Sequence, residues 1–236
     1  MLLAFEERAS DSPFIERVWR ARSTRAGSFL SIASPHSEMV VTRCQGEVFL
    51  TLRGPETKAT VAQCPADGEW IAVRFTLGTF VPHLLPGNLS DRRDVTLPRA
   101  TAHSFWLRGS AWDYPSFTNA EAFVARLARR GLIVRNPIID RMQDDRPHTL
   151  SPRTVQRHFL QATGLTHRAV RQIERARYAT SLLKQGVSIL DTVHEAQFFD
   201  QAHLTRSLKH LVGQTPGAIV QAREQLSFLY KTAPLR

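Results

Sequence analysis

Hydrophobic and polar positions follow one period in the first half of the chain and another in the second. From Gly27 to Ala100 the segments GSFLSIAS, EMVVTRC, EVFLTLRG, KATVAQC, EWIAVRFTLG and DVTLPRA are short runs rich in Val, Thr, Phe and Ile, broken by Gly, Pro, Asp and Asn. β-Branched and aromatic runs between turn formers predict strands. Near Asn119 the period changes. NAEAFVARLARRG sets Ala122, Phe123 and Leu127, with Val124 less regularly, on one helical face, with Asn119 as its cap and Gly131 as its stop. Everything beyond is expected to be helical. Strands followed by helices predict an α+β chain of two domains: a β-rich domain over 1–118, a linking helix over 119–134 and an all-α domain over 135–236.

The helical half contains an internal repeat. LSPRTVQRHFLQATGLTH aligns without a gap on the stretch 49 residues later that includes FFDQAHLTRSLKHLVGQTP. The offset pairs Ser151 with Asp200, Val155 with Leu204, Arg157 with Arg206, Phe159 with Leu208, Ala162 with Leu211, Gly164 with Gly213 and Thr166 with Thr215. Ser151 and Asp200 are good N-caps, the three apolar pairs follow i, i+4, i+7, and the glycines supply a stop. Arg153, Gln156, Arg157 and Leu160 then point away from the first apolar stripe, and Ala202, Thr205, Arg206 and Lys209 from the second. Each short helix is expected to show Arg with Gln or Thr to solvent.

Before the second of these helices, Ser188 and Asp191 resemble a capping box, and Ile189, Val193 and Ala196 form an apolar face that ends at Gln197 and Phe198. Two helices across a tight turn fit a helix-turn-helix, whose second helix enters the major groove. Arg matches guanine O6 and N7, Gln matches adenine N6 and N7, and Thr or Lys can hold phosphates. A helical hairpin with a solvated basic face has the same spacing.

DQAHLTRSLKHLVGQTP, SPRTVQRHFLQATGLT and the connecting IERARYATSLL together resemble the C-terminal DNA-binding domain of the AraC/XylS family of bacterial transcriptional regulators, over about residues 135 to 220. The resemblance implies two helix-turn-helix units joined by a linker helix at about Arg168 to Leu183, with both recognition helices in successive major grooves. It places base reading on Arg153, Gln156 and Arg157 in the first unit and on Gln201, Ala202, His203 and Arg206 in the second. Thr205 and Lys209 become backbone contacts, and Arg175, Ala179, Leu182 and Leu183 match the linker-helix pattern. The N-terminal domain is expected to be cupin-like and to bind a small effector or to dimerise. Two positions depart from the family. Gln197 stands where the family usually has a turn Gly, a steric cost if that position is left-handed. In MQDDRPHTL, Asp144, Asp145 and Pro147 replace an apolar helical face, so the first helix of the first unit is expected to be short, from Asn136 and Pro137 through Ile138, Ile139 and Met142.

Charge sharpens this division. The 236-residue chain carries a formal net charge of +10, and residues 132–236 hold 15 basic against 8 acidic side chains while residues 1–131 hold 16 against 13. The excess lies in the helical half, as expected of a nucleic-acid-binding module beside a near-neutral domain. No stretch approaches the ~20 apolar residues of a membrane span, and MLLAFEERAS turns acidic too soon for a secretory signal, which predicts a cytoplasmic protein. Cys44 and Cys64 are too few for a four-ligand zinc site and read as core thiols.

Catalytic signatures are sparse. His36, His83 and His103 fall in the β-rich half, and SPHSE offers His36 and Glu38 without the His-x-His pairing common in cupin metal sites. Trp19, Trp70, Trp106 and Trp112 are candidates for a pocket lining or for aromatic core. The sequence reading is a sequence-specific DNA-binding regulator with no enzymatic activity, metal or cofactor. Its partners are double-stranded DNA at an operator or promoter, a small-molecule effector, RNA polymerase and a second copy of the chain, with no membrane. The alternative is a metal-dependent cupin-type enzyme with an appended basic helical domain.

Overall fold

The computed structural model describes residues 2–91, 93–143 and 150–221. Twelve strands and seven α-helices are seen among them. The strands are β1 (Leu3–Ala9), β2 (Ile15–Ser23), β3 (Gly27–Ser31), β4 (Glu38–Cys44), β5 (Glu47–Arg53), β6 (Thr60–Cys64), β7 (Glu69–Phe75), β8 (Thr79–Phe80), β9 (Val95–Thr96), β10 (Ser104–Leu107), β11 (Ser110–Asp113) and β12 (Val134–Arg135). The helices are α1 (Ala120–Arg129), α2 (Pro137–Gln143), α3 (Pro152–Thr163), α4 (His167–Gln185), α5 (Ile189–Glu195), α6 (Gln201–Leu211) and α7 (Pro216–Gln221). The N-terminal region is β-rich and the C-terminal region helical, as the two periods require.

Strands β1, β2, β7, β4, β5 and β9 form one sheet in that order, and its neighbours pair antiparallel. Alternation gives the sheet two faces. Ile15, Val18, Met39, Val41, Leu50, Leu52, Val73 and Phe75 pack on one side with Phe123, Val124 and Leu127 of α1 and Phe105 and Leu107 of β10. Leu3, Phe5, Trp19, Ala21, Trp70 and Arg74 turn to the other side, where the β3–β6 hairpin-like pair faces them across a cavity of about 500 Å³. At β2 the register shifts between Ile15 and Arg17. This bulge keeps Ile15 and Val18 in the same core and adds Glu16 as an extra residue before Arg17.

Three local expectations need correction. Asn119 precedes α1, but its Oδ1 accepts from Ser116 N at 2.8 Å instead of capping the helix. Ala122 is exposed, and Ala120 takes its place in the buried stripe. Not everything beyond α1 is helical, since β12 pairs with β8.

The C-terminal helices have their own core: Val170, Ile173, Ala176, Ala179, Leu182 and Leu183 of α4 meet Phe159, Val193, Leu204, Leu208 and Ile219. Ile32, Ala33, Leu77 and Phe80 from the β-rich region belong to the same cluster. The helix after the strands is therefore part of the sheet's core, and part of the β-rich region is part of the helical core.

Candidate nucleic-acid interface

The 49-residue repeat is visible as two matching helices with matching ends. Helix α3 begins at Ser151, whose hydroxyl accepts from Thr154 N, and α6 begins at Asp200, whose carboxylate accepts from His203 N at 2.6 Å. Gly164 (φ 72°) and Gly213 (φ 80°) follow their C-terminal ends in left-handed conformations that favour Gly. The repeat runs one step further than these roles. Thr166 caps α4 through Ala169 N, and Thr215 receives Ala218 N at the start of α7. The Thr166–Thr215 pairing was the available signal.

The second unit is α5, a turn, and α6. Ser188 Oγ accepts from Asp191 N and donates to Asp191 Oδ2 at 2.6 Å, so the pair closes on itself in place of a reciprocal box. Ala196 caps α5, and Gln197 has φ 55°, the left-handed value at which a Cβ is costly. Arg175 of α4 fixes this turn: its guanidinium donates to Gln197 O at 3.2 Å and lies 4.9 Å from the centre of the Phe198 ring. That is the linker-helix role its position implied. Phe198 is buried, and Phe199 beside it is 90 % exposed.

In the first unit, α2 is the short helix that Asn136 and Pro137 start; Asn136 Oδ1 accepts from Ile138 N, and Ile139 is fully buried. Asp144, Asp145 and Pro147 lie outside the described residues.

Arg153, Gln156 and Arg157 are exposed on α3, as are Gln201, Ala202, Arg206 and Lys209 on α6. Two predicted contacts are committed locally. The Thr205 hydroxyl donates to Gln201 O at 2.8 Å, and the half-buried His203 ring packs edge-on to Phe198 at 5.2 Å while its Nδ1 accepts from Phe199 N. His203 therefore keeps Nε2–H as its free donor in that tautomer. Arg206 also lines a shallow groove with Gln172 and Ala169 of α4, which sequence spacing alone did not bring together.

The β-rich region covers the opposite ends of these helices. Ala33 N donates to Leu211 O at 2.8 Å and Ala59 N to His210 O at 2.9 Å. A Cβ at Gly164 would lie 2.5 Å from Gly87 N, and one at Gly213 would lie 3.1 Å from the Ala59 Cβ. The same repeat position touches the β-rich region in both units, and Thr57 of that region lines the groove that Arg206 shares with α4.

The other candidates separate. Trp19 and Trp70 line the cavity, Trp112 packs edge-on to Phe123, and Trp106 is exposed. His36 Nδ1 contacts Phe75 O at 2.9 Å, with Nε2 3.6 Å from Glu16, whereas His83 and His103 are on the surface. Among the described residues no group of three or more His, Cys, Asp or Glu is placed to hold a metal, and no helix is long and apolar enough to cross a membrane. Cys44 and Cys64 are free thiols, the latter buried.

A protein-family profile described as a helix-turn-helix domain, of the AraC type, matches residues 148–222. No curated protein and no solved structure matches the chain. The match spans both capped helices, the linker helix between them and the Gln197 turn, and identifies this part of the chain as a DNA-binding helix-turn-helix domain of the AraC type.

Proposed function

We propose that the chain recognises a specific double-stranded DNA sequence by inserting α3 and α6 into successive major grooves. The observation that carries this reading is the paired geometry: two capped helices on one linker helix, each with exposed Arg and Gln. Arg153, Gln156 and Arg157 read bases from the first unit, and Gln201, Ala202, His203 and Arg206 from the second; Ala202 reaches no more than a thymine methyl. Lys209 holds a phosphate, and Thr205 does so when its hydroxyl turns from Gln201 O to donate to a phosphate oxygen.

The domain division places residues 1–118 in an effector-binding or dimerising domain and 135–236 in the DNA-binding domain, with the 119–134 segment between them. The cavity between the sheets supports the effector role, and two copies of the chain would read a longer site with greater avidity. The protein acts without catalysis, in the bacterial cytoplasm, where a bound promoter also brings it to RNA polymerase.

Repeated selection from a random duplex library tests the reading. Enrichment of one sequence is the expected result. Recovery of an unenriched pool, with the protein folded, contradicts sequence-specific binding.

A further inference from the structure

The 49-residue offset pairs one further position, which caps, apolar stripe and stop leave unexplained. Leu150 stands immediately before the Ser151 cap of α3, and Phe199 immediately before the Asp200 cap of α6. An apolar residue at this step ordinarily packs on the fourth residue of its helix and fixes the entry of the chain. The fourth residues, Val155 and Leu204, are indeed buried, but Phe199 is 90 % exposed and Leu150 38 %. Other side chains cover Leu204, and Phe199 is left with no role in the fold.

The chain holds Phe199 outward. Phe198 is buried beside Arg175 and His203, and the extended backbone that leads to Asp200 (φ −155°, ψ 175°) turns the next side chain the other way. Phe199 N donates to His203 Nδ1, which ties this residue to the first turn of α6. A single exposed apolar side chain is unremarkable. Recurrence is what sets this pair apart. Leu160 and Leu190 are also exposed, but the same offset pairs them with Lys209 and Arg141, whereas Leu150 and Phe199 repeat both the apolar character and the exposure. A partner that meets the starts of both helices in the same way accounts for that.

We infer that Phe199 and Leu150 each pack on a thymine C5-methyl at the edge of the major groove, so that the recognised site carries a thymine at the same place under each helix, about 10 bp apart. The inference rests on the proposed insertion of α3 and α6 into successive grooves. A recognition helix meets base edges with its N-terminal residues, and the thymine methyl is the apolar group that those edges present. The cap side chains are committed to their own helices, Ser151 to Thr154 N and Asp200 to His203 N, which leaves the residue before each cap as the outermost group at the helix start.

Uracil scanning tests this. The full chain first selects a site from random duplexes, and each thymine of that site is then replaced by uracil, which removes the methyl and keeps the base pair. Binding should weaken about fourfold at one position under each helix, the worth of one buried methyl at ~0.8 kcal/mol. Phe199→Ala should abolish the penalty under α6 alone and Leu150→Ala that under α3 alone, while Phe199→Leu retains part; the variants separate these thymines from any that Ala202 meets. Both alanine variants should keep the urea midpoint of the parent protein, since the deleted side chains are exposed. A lowered midpoint would mean that these residues pack on their own helices and would overturn the inference, as would a site without thymine dependence or a uracil penalty that survives its variant. A chain that enriches a site but shows no such penalty refutes the thymine contacts alone, and one that enriches no site refutes the DNA reading on which they rest.

Discussion

Arg206 and Lys209 stand three residues apart on the exposed side of α6, yet one is proposed to read a base and the other to hold a phosphate. Arg206→Ala should cost about 1–3 kcal/mol on the selected site and relax its sequence preference. Lys209→Ala should weaken all duplexes alike and lower the salt slope by about one. Binding isotherms at several salt concentrations separate these outcomes, and equal losses on specific and non-specific DNA would remove base reading from Arg206. Gln197 offers a test at the same scale that involves no DNA. With φ 55° and an exposed side chain, it bears the left-handed penalty of a Cβ-bearing residue. Gln197→Gly should therefore stabilise the chain by at most about 1 kcal/mol, the gain being limited by the added freedom of the unfolded state. Arg175 donates to the backbone oxygen, so that contact survives the substitution. Urea unfolding that shows a clear loss of stability would mean that the Gln197 side chain is needed where it stands.

Helix ends carry much of the definition of the two units, because short helices depend on capping and tertiary contacts more than on propensity. Asp200→Ala should destabilise by about 1 kcal/mol through loss of the bond to His203 N, and the helix it frays is the one assigned to the groove. Loss of DNA affinity together with lower thermal stability is the expected pair of results; unchanged stability would show that Asp200 does not cap α6 in solution. Gly164→Ala should cost more, since a Cβ there meets both a left-handed backbone and the Gly87 backbone at 2.5 Å. The sequence displayed these elements unevenly, for physical reasons. The repeat was legible because caps, apolar stripe and stop recur at a fixed offset, and β3 to β7 were legible because β-branched runs alternate with turn formers. β1 and β2 were not, since LAFEERA and IERVWRARS mix charge and apolar residues on strands whose second face looks into a cavity. The Asn119 cap failed because a nearer backbone N–H, that of Ser116, competes for its side chain.

The regulator reading of the whole molecule depends on how its two cores meet, and acid should loosen that junction. Burial favours protonation of Glu16, but the charges of His36, Arg74, Arg17 and Arg177 outweigh it and hold its pKa at about 2, against an ordinary 4.5. A depressed carboxyl pKa stabilises the fold fully above pH 4.5, and that contribution is lost as pH falls towards 2. His36, whose pKa is lowered chiefly by burial, acts in the same direction from pH 6.5 downward. Urea midpoints measured from pH 7 to 3 should fall, and Glu16→Gln should flatten the lower part of that curve. A Glu16→Gln curve parallel to that of the parent protein would contradict the assignment. A whole-molecule property was least visible in the sequence: the charge step suggested separable halves, whereas α1 contributes Phe123 and Leu127 to the sheet's core, and Ile32 and Ala33 lie in the helical one. The central claim concerns DNA, and methylation interference on the selected site tests it most directly. Two blocks of major-groove guanines at which methylation prevents binding, on one side of the duplex and centred about 10 bp apart, are the expected result for α3 and α6. A single block, with α3 leaving no mark, would contradict two-helix reading.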